Sequence, residues 1–195
     1  MEKFVNQVIC GDCLEIMKSF KDSSVDLFVT SPPYNLKNST GNGMKDGRGG
    51  KWANAALQNG YESYDDNMPY DKYCEWQREC LNEMMRLLKD DGAIFYNHKV
   101  IYMIDKANRY GDVWEIKQDM HNPHPVPYPI ISSTNANLIV DPFAGSGTTG
   151  VSAKRYGRDY ILIEKSQKYC EMIQKRLEGI EWNVRPNENI QYSLW

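Results

Sequence analysis

The chain lacks any apolar run of the roughly 20 residues that a bilayer-spanning helix needs, so a membrane role is not expected. It also lacks an excess of positive charge. With 23 Lys and Arg against 26 Asp and Glu, its net charge is −3, which argues against a protein that coats nucleic acid regardless of sequence. A local basic surface remains compatible with that total. The five cysteines are an odd number in a chain too long to depend on disulfides, and they suit a reducing cytoplasm. Cys10-Gly11-Asp12-Cys13 has the spacing of a redox or zinc pair, but it lacks a second pair and a nearby histidine. His121 and His124 sit among prolines, and no metal site is expected. No signal peptide is recognisable at the start: Met1-Glu2-Lys3 leads straight into a strand-like segment. A length of 195 residues fits one domain, 1–195, with a sizeable core.

What is present alternates strand and helix, which predicts an α/β fold with a mostly parallel, doubly wound sheet. Gln7 to Cys10 reads as a strand, Leu14 to Phe20 as a helix and Val25 to Val29 as a second strand with a polar break at Asp26. Residues 35 to 69, rich in Gly, Asn and Asp, show no sustained period and are expected to form a long mobile loop over 38–69. Tyr70 to Lys89 carries a helical apolar face that Asp90-Asp91-Gly92 should end, and Ala93 to Tyr96 is the next strand. Leu138 to Val140 and Tyr160 to Ile163 read as strands; helices are expected from the Thr148–Thr149 turn to Tyr156 and from Gln167 to Leu177.

Two stretches carry chemistry. In Thr30-Ser31-Pro32-Pro33-Tyr34 two prolines follow an apolar strand, fixing two φ angles and removing two backbone donors. The result is a stiff polar loop at the carboxyl end of a strand, where open α/β sheets put their ligands, although a proline-terminated surface turn would look the same. In Asp141-Pro142-Phe143-Ala144-Gly145-Ser146-Gly147-Thr148-Thr149 a strand stops at an acidic residue and passes through glycines into a helix. Such a turn lets a ligand approach the backbone and offers free N–H groups to an anion. No lysine follows the last glycine, which argues against a Walker-type nucleotide loop. Gly145, Gly147 and Gly150 do match a dinucleotide fingerprint, so an NAD-dependent oxidoreductase is an alternative. Glu164, at the tip of the following strand, is where an acceptor for a ribose hydroxyl belongs.

Taken together and in this order, the two stretches make the chain resemble the amino-group DNA methyltransferases that use S-adenosylmethionine, in the permuted arrangement called the beta class. There the catalytic tetrapeptide, here Ser31-Pro32-Pro33-Tyr34, precedes the cofactor loop, here Asp141 to Thr149. The likeness extends to Gly11-Asp12-Cys13, Tyr96-Asn97-His98-Lys99, His124 to Pro129 and Glu164, and so covers most of the chain. It implies a Rossmann-like methyltransferase fold with permuted motif order and S-adenosylmethionine as cofactor. It also implies double-stranded DNA as partner, no membrane, and a restriction-modification or stand-alone modification role that admits a homodimer and a cognate restriction endonuclease.

Under that resemblance the residues take roles. An exocyclic amine is a poor nucleophile because its lone pair is delocalised into the ring, and acceptors on its two hydrogens would re-hybridise it. The Ser31 hydroxyl and the Pro32 carbonyl are candidates, Pro33 stiffens the loop, and Tyr34 would stack on a flipped base. On the cofactor side, Asp12 with the Cys13 backbone suits the adenine amine and Glu164 the ribose. The loop of Phe143, Ala144, Gly145, Ser146, Gly147, Thr148 and Thr149 suits the carboxylate, and Phe143 could face the sulfonium. Asp12 could equally be a helix N-cap. Lys37, Lys45, Arg48 and Lys51 could grip DNA phosphates, and Asn97 and His98 could contact the flipped base, although solvated or structural roles would look alike. A serine at the first tetrapeptide position favours cytosine N4 over adenine N6. The chain is short where family members are long: Val100 to Pro123 would be a remnant of the target-recognition region, and Ile130 to Asn137 leaves no room for a normal helix. Interruptions of the chain are therefore expected near 99–101 and 130–132.

Overall fold

Val25–Thr30 forms the strand around which the sheet is organised: it leads into one of the two loops of interest, and its neighbour Leu138–Asp141 leads into the other. A computed structural model of the chain describes residues 1–35, 63–64, 68–98, 100–105 and 127–179. The elements in chain order are β1 (Gln7–Cys10), α1 (Cys13–Lys18), β2 (Val25–Thr30), α2 (Tyr70–Leu87), β3 (Leu88–His98) and β4 (Val100–Asp105). There follow α3 (Pro127–Ser132), β5 (Leu138–Asp141), α4 (Thr148–Arg155), β6 (Asp159–Glu164) and α5 (Gln167–Glu178). Among the described residues six strands lie in the order β1-β6-β5-β2-β3-β4, all parallel except β4, which runs antiparallel to β3. The expected mostly parallel sheet is the one observed.

That order has a physical consequence. From β5 the chain moves to β6 through α4, whereas from β2 it moves in the opposite direction along the sheet to β3, so the strand order reverses between β5 and β2. The adjacent carboxyl ends of β5 and β2 are thus a switch point, the place where open α/β sheets bind ligands. Leu27, Val29, Ile139, Tyr160 and Leu162 face Ile130 and Ile131 of α3, Val151 and Ala153 of α4, and Ile173 and Leu177 of α5 in one core cluster. Alternation turns Phe28, Ile161 and Ile163, all fully buried, to the other side of the sheet.

Packing divides the chain into two compact units, Met1–Pro32 with Asn82–Trp195, and Pro33–Leu81. In the second, Asn35 and Met68 exchange two hydrogen bonds, Nδ2 to the Met68 carbonyl at 2.7 Å and the Met68 amide to Oδ1 at 2.9 Å. Trp76 packs against Tyr64 and Tyr73, with ring centroids 5.2 and 6.3 Å away. In the first, the Arg86 guanidinium donates to the Met17 carbonyl at 2.9 Å and the Phe20 carbonyl at 3.2 Å, fastening the last turn of α2 to α1.

Three expectations need correction. The helix ends at Leu87 rather than Lys89, because Leu88 pairs with Val25 and the Lys89 ammonium reaches Asp26 at 2.7 Å. Residues 89–92 then bulge before Ala93 resumes the register opposite Leu27, so Asp90-Asp91-Gly92 makes its turn inside the span of β3. The segment before β5, where no room for a helix was expected, does hold one: α3 starts before Ile130, on Pro127, since a proline in the first turn has no amide to lose. It runs unbroken through 130–132, with the Ser133 amide donating to the Ile130 carbonyl at 3.3 Å. At 99–101 the backbone of β4 pairs with β3, His98 opposite Val100, while Lys99 lies outside the described residues, as do 106–123. The polar break at Asp26 is also accounted for: its second oxygen accepts from the Leu138 amide at 2.8 Å, holding the start of β5.

Candidate active site

The strand order lines up five chain segments along the carboxyl edge of the sheet: Gly11 to Cys13 after β1, Glu164 at the end of β6, Asp141 to Thr149 after β5, Thr30 and Ser31 at the end of β2, and Tyr96 to His98 on β3. Cys10 is level with Glu164, Asp141 with Leu162, and Thr30 with Tyr96, which keeps neighbouring strand ends at one height.

Asp12 caps α1, its Oδ1 accepting from the Leu14 amide at 3.0 Å, and its Oδ2 lies 3.5 Å from the Lys165 ammonium. The N-cap reading therefore holds, and the carboxylate is partly exposed beside a cation. Cys13 is buried. Glu164 spends both oxygens on the backbone, accepting from the Gly145 amide at 2.8 Å and from the Ser166 amide at 2.9 Å. Each carboxylate oxygen keeps a second acceptor site, so a ribose hydroxyl can still be bound. The first of these bonds also fixes the turn that follows β5.

In that turn the glycines separate by function. Gly145 (φ 52°) and Gly147 (φ 79°) adopt left-handed conformations that disfavour other residues. A side chain at Gly145 would meet nothing nearer than the Phe143 carbonyl at 3.9 Å, which leaves open space where a ligand can approach. A side chain at Gly147 would fall 2.7 Å from Ile173 of α5, and one at Gly150 would fall 2.4 Å from Leu162 of β6. Those two glycines serve close packing. Gly150→Ala should therefore push α4 off the sheet at a cost of about 1–3 kcal/mol, lowering the melting temperature by several degrees. An unchanged melting curve would mean that the buried Leu162 has room to turn.

Ala144 is buried, and its amide donates to the Ile163 carbonyl at 2.9 Å. Phe143 is half-buried, Ser146 is exposed and Thr148 opens α4. The Nη1 of Arg176 donates to the Ser146 carbonyl at 2.7 Å and lies 3.4 Å from the hydroxyls of Ser146 and Thr148. Sequence reasoning missed Arg176, since nothing local marks a residue near the end of a helix as the brace of a turn 30 positions away. Asp141 and Thr149 are buried and bonded to each other, Thr149 Oγ1 to Asp141 Oδ2 at 2.7 Å. Burial pushes the Asp141 carboxyl up to about 6, against the pull of hydrogen bonds from Thr149, Thr30 and the Phe143 amide and with a further upward push from Glu164.

On the acceptor side Ser31 is exposed and Pro32 buried. Asn97 of β3 donates from Nδ2 to Ser31 Oγ at 3.4 Å, so the structure brings this expected base-contacting residue to the tetrapeptide itself. Pro33 and Tyr34 open the second unit and are half-buried; the Tyr73 hydroxyl donates to the Pro33 carbonyl at 3.2 Å. Of His98 only the backbone is described, and Lys37, Lys45, Arg48 and Lys51, with most of the 38–69 loop, lie outside the described residues. Among the described residues no group of His, Cys, Asp and Glu could hold a metal, and no helix is long and apolar enough to cross a membrane.

Comparison with known proteins favours the methyltransferase over the oxidoreductase. The chain belongs to the N6/N4 DNA methylase family, whose model matches residues 25–121 and 103–175. It is 23% identical to the type II methyltransferase M.HinfI of Haemophilus influenzae over 266 residues, covering 95% of this chain and 71% of the relative. That alignment is longer than the chain, so M.HinfI carries insertions that this chain lacks. Type II methyltransferase M.HpaI of Haemophilus parainfluenzae is also 23% identical, over 89% of this chain and 74% of its own length. Among solved structures, the cytosine-N4-specific PvuII DNA methyltransferase superposes with a TM-score of 0.57 at 16% identity, covering 91% of this chain and 87% of its own. The M1.HpyAVI–SAM complex superposes with 0.53 at 18% identity, covering 88% and 98%. These likenesses show the shared fold, and the family match supplies the activity, DNA methylation.

Proposed function

We propose that this protein transfers the methyl group of S-adenosylmethionine to the N4 amine of a cytosine turned out of double-stranded DNA, as a modification methylase. The observation that carries this reading is the adjacency, at the β5–β2 switch point, of a glycine turn open at Gly145 and a loop presenting Ser31 and Pro32. The turn suits the cofactor on three counts: room at Gly145, a carboxylate at Glu164 with acceptor capacity left, and the amide-rich first turn of α4 for the methionine carboxylate. Asp12 and the Cys13 backbone would hold the adenine amine, and Phe143 would face the sulfonium.

When bound, S-adenosylmethionine supplies an electrophilic methyl group. The work of the chain's own residues lies on the acceptor. Ser31 Oγ and the Pro32 carbonyl would accept the two amine hydrogens, drawing the nitrogen towards tetrahedral geometry and freeing its lone pair for in-line attack. The proline ring holds its carbonyl in place, and Asn97, 3.4 Å from Ser31 Oγ, restrains the hydroxyl. Tyr34 would stack on the extruded base. The preference for cytosine rests on Ser31 and is in line with the cytosine-N4 specificity named for the PvuII enzyme. The type II methyltransferases among the relatives suit a restriction-modification setting, in which a cognate endonuclease would be the natural partner.

The test is chemical. DNA incubated with the protein and S-adenosylmethionine is digested to nucleosides, and N4-methylcytosine is expected. N6-methyladenine would move the base assignment while keeping the amino-methylase activity; no modified nucleoside across DNA of varied sequence would overturn the reading.

A further inference from the structure

Asp141 is expected from sequence among the cofactor contacts, yet its carboxylate is buried and engaged by three elements of the protein. Thr30, the last residue of β2 and the one before Ser31, donates from Oγ1 to Oδ1 at 2.7 Å. The Phe143 amide in the cofactor turn donates to the same oxygen at 3.1 Å. Thr149 in the first turn of α4 donates to Oδ2 at 2.7 Å, with its hydroxyl also 3.3 Å from the Val29 carbonyl. Both threonines are buried as well.

We infer that Asp141 is a positioning residue, a buried clasp that makes the root of the acceptor loop and the cofactor turn move as one piece. A buried carboxylate is costly, and here hydroxyls and an amide rather than a cation offset that cost. An apolar residue would fill the same space but could not join the Thr30 hydroxyl to the Phe143 amide and Thr149. Each side of the clasp carries one reactant under the proposed function, on which this inference rests: Thr30 leads into Ser31, whereas Phe143 and Thr149 bracket Gly145. Ordering the turn around the methyl donor therefore fixes the acceptors that must meet it in line, and the glycine turn gains a rigid wall.

The experiment uses Thr30→Val, Thr149→Val and their combination, which delete hydroxyls while keeping shape, together with Asp141→Asn and Asp141→Ala. S-adenosylmethionine affinity is measured by calorimetry without DNA, and single-turnover methylation at saturating cofactor, both well below the melting temperatures. If the clasp holds, Thr30→Val weakens cofactor binding about fivefold although it sits at the root of the acceptor loop, and Thr149→Val slows methyl transfer about fivefold although it sits on the cofactor side. The double variant is then no worse than the more affected single variant, because either change already opens the clasp. Asp141→Asn stays within about threefold of wild type, since its amide oxygen keeps Thr30 and Phe143 and Thr149 can turn to the Val29 carbonyl, whereas Asp141→Ala matches the double variant. Effects confined to each residue's own side and multiplying in the double variant would overturn the clasp. Should the wild type bind no S-adenosylmethionine, the proposed function fails separately; the melting temperatures of the same four-member threonine cycle then decide, non-additive shifts supporting the clasp and additive ones removing it.

Discussion

Gly145→Val is expected to abolish measurable S-adenosylmethionine binding, a loss of more than about 100-fold, while the protein still folds. Two effects combine at this position. The backbone sits at φ 52°, where a β-branched residue is strongly disfavoured, at a cost of at least about 1–2 kcal/mol. The added side chain would also project into the open space beside the Phe143 carbonyl, so it collides with a ligand rather than with protein. Because the Gly145 amide is held by Glu164 at 2.8 Å, the turn cannot rotate to relieve the strain without releasing the carboxylate assigned to the ribose. Gly145→Ala separates the terms, carrying most of the backbone strain with little of the bulk, and should lose far less affinity. Calorimetric titration of both variants checks this, with a melting curve to confirm folding. Wild-type affinity in Gly145→Val would remove the cofactor from this turn.

The same turn shows what sequence could and could not reveal. The strand–glycine–helix pattern from Leu138 to Arg155 is local: apolar alternation, an acidic stop and helix-permissive residues follow one another, so both elements were readable. Which glycine faces a ligand was not readable, because Gly147 and Gly150 are required by Ile173 and Leu162, side chains brought up by later elements. Asp26 looked like a defect in an apolar strand until Lys89 and the Leu138 amide were found on its two oxygens, 63 and 112 positions away. Asp141 was singled out for the right turn, yet its three donors come from β2, the loop and α4, and only the sheet order brings Thr30 to it. Helix α3 was missed because its room was counted only from Ile130, whereas it begins on Pro127, in the first turn where a helix tolerates proline. Helix periodicity overran at Leu88 because pairing with Val25 outweighs the propensity of two residues.

Ser31→Ala should lower the single-turnover rate of methyl transfer about 100-fold while leaving S-adenosylmethionine affinity within about twofold of wild type. The split follows from where Ser31 stands. Its side chain is exposed at the end of β2, so its loss should leave the fold and the melting temperature unchanged. It also stands at the end of β2, whereas the Gly145 turn follows β5 and Glu164 ends β6, so the proposed cofactor contacts should persist. What is removed is one of two acceptors for the amine hydrogens. The remaining one, the backbone carbonyl of Pro32, cannot be deleted by substitution, which explains why residual transfer is expected rather than none. Asn97→Ala supplies the comparison. If its amide only restrains the Ser31 hydroxyl from 3.4 Å, its loss should cost less than that of the hydroxyl itself, and the Ser31→Ala/Asn97→Ala pair should be no slower than Ser31→Ala alone. Equal losses of rate and cofactor affinity in Ser31→Ala would place the hydroxyl on the cofactor instead of the base. A double variant much slower than Ser31→Ala would mean that Asn97 touches the substrate in its own right.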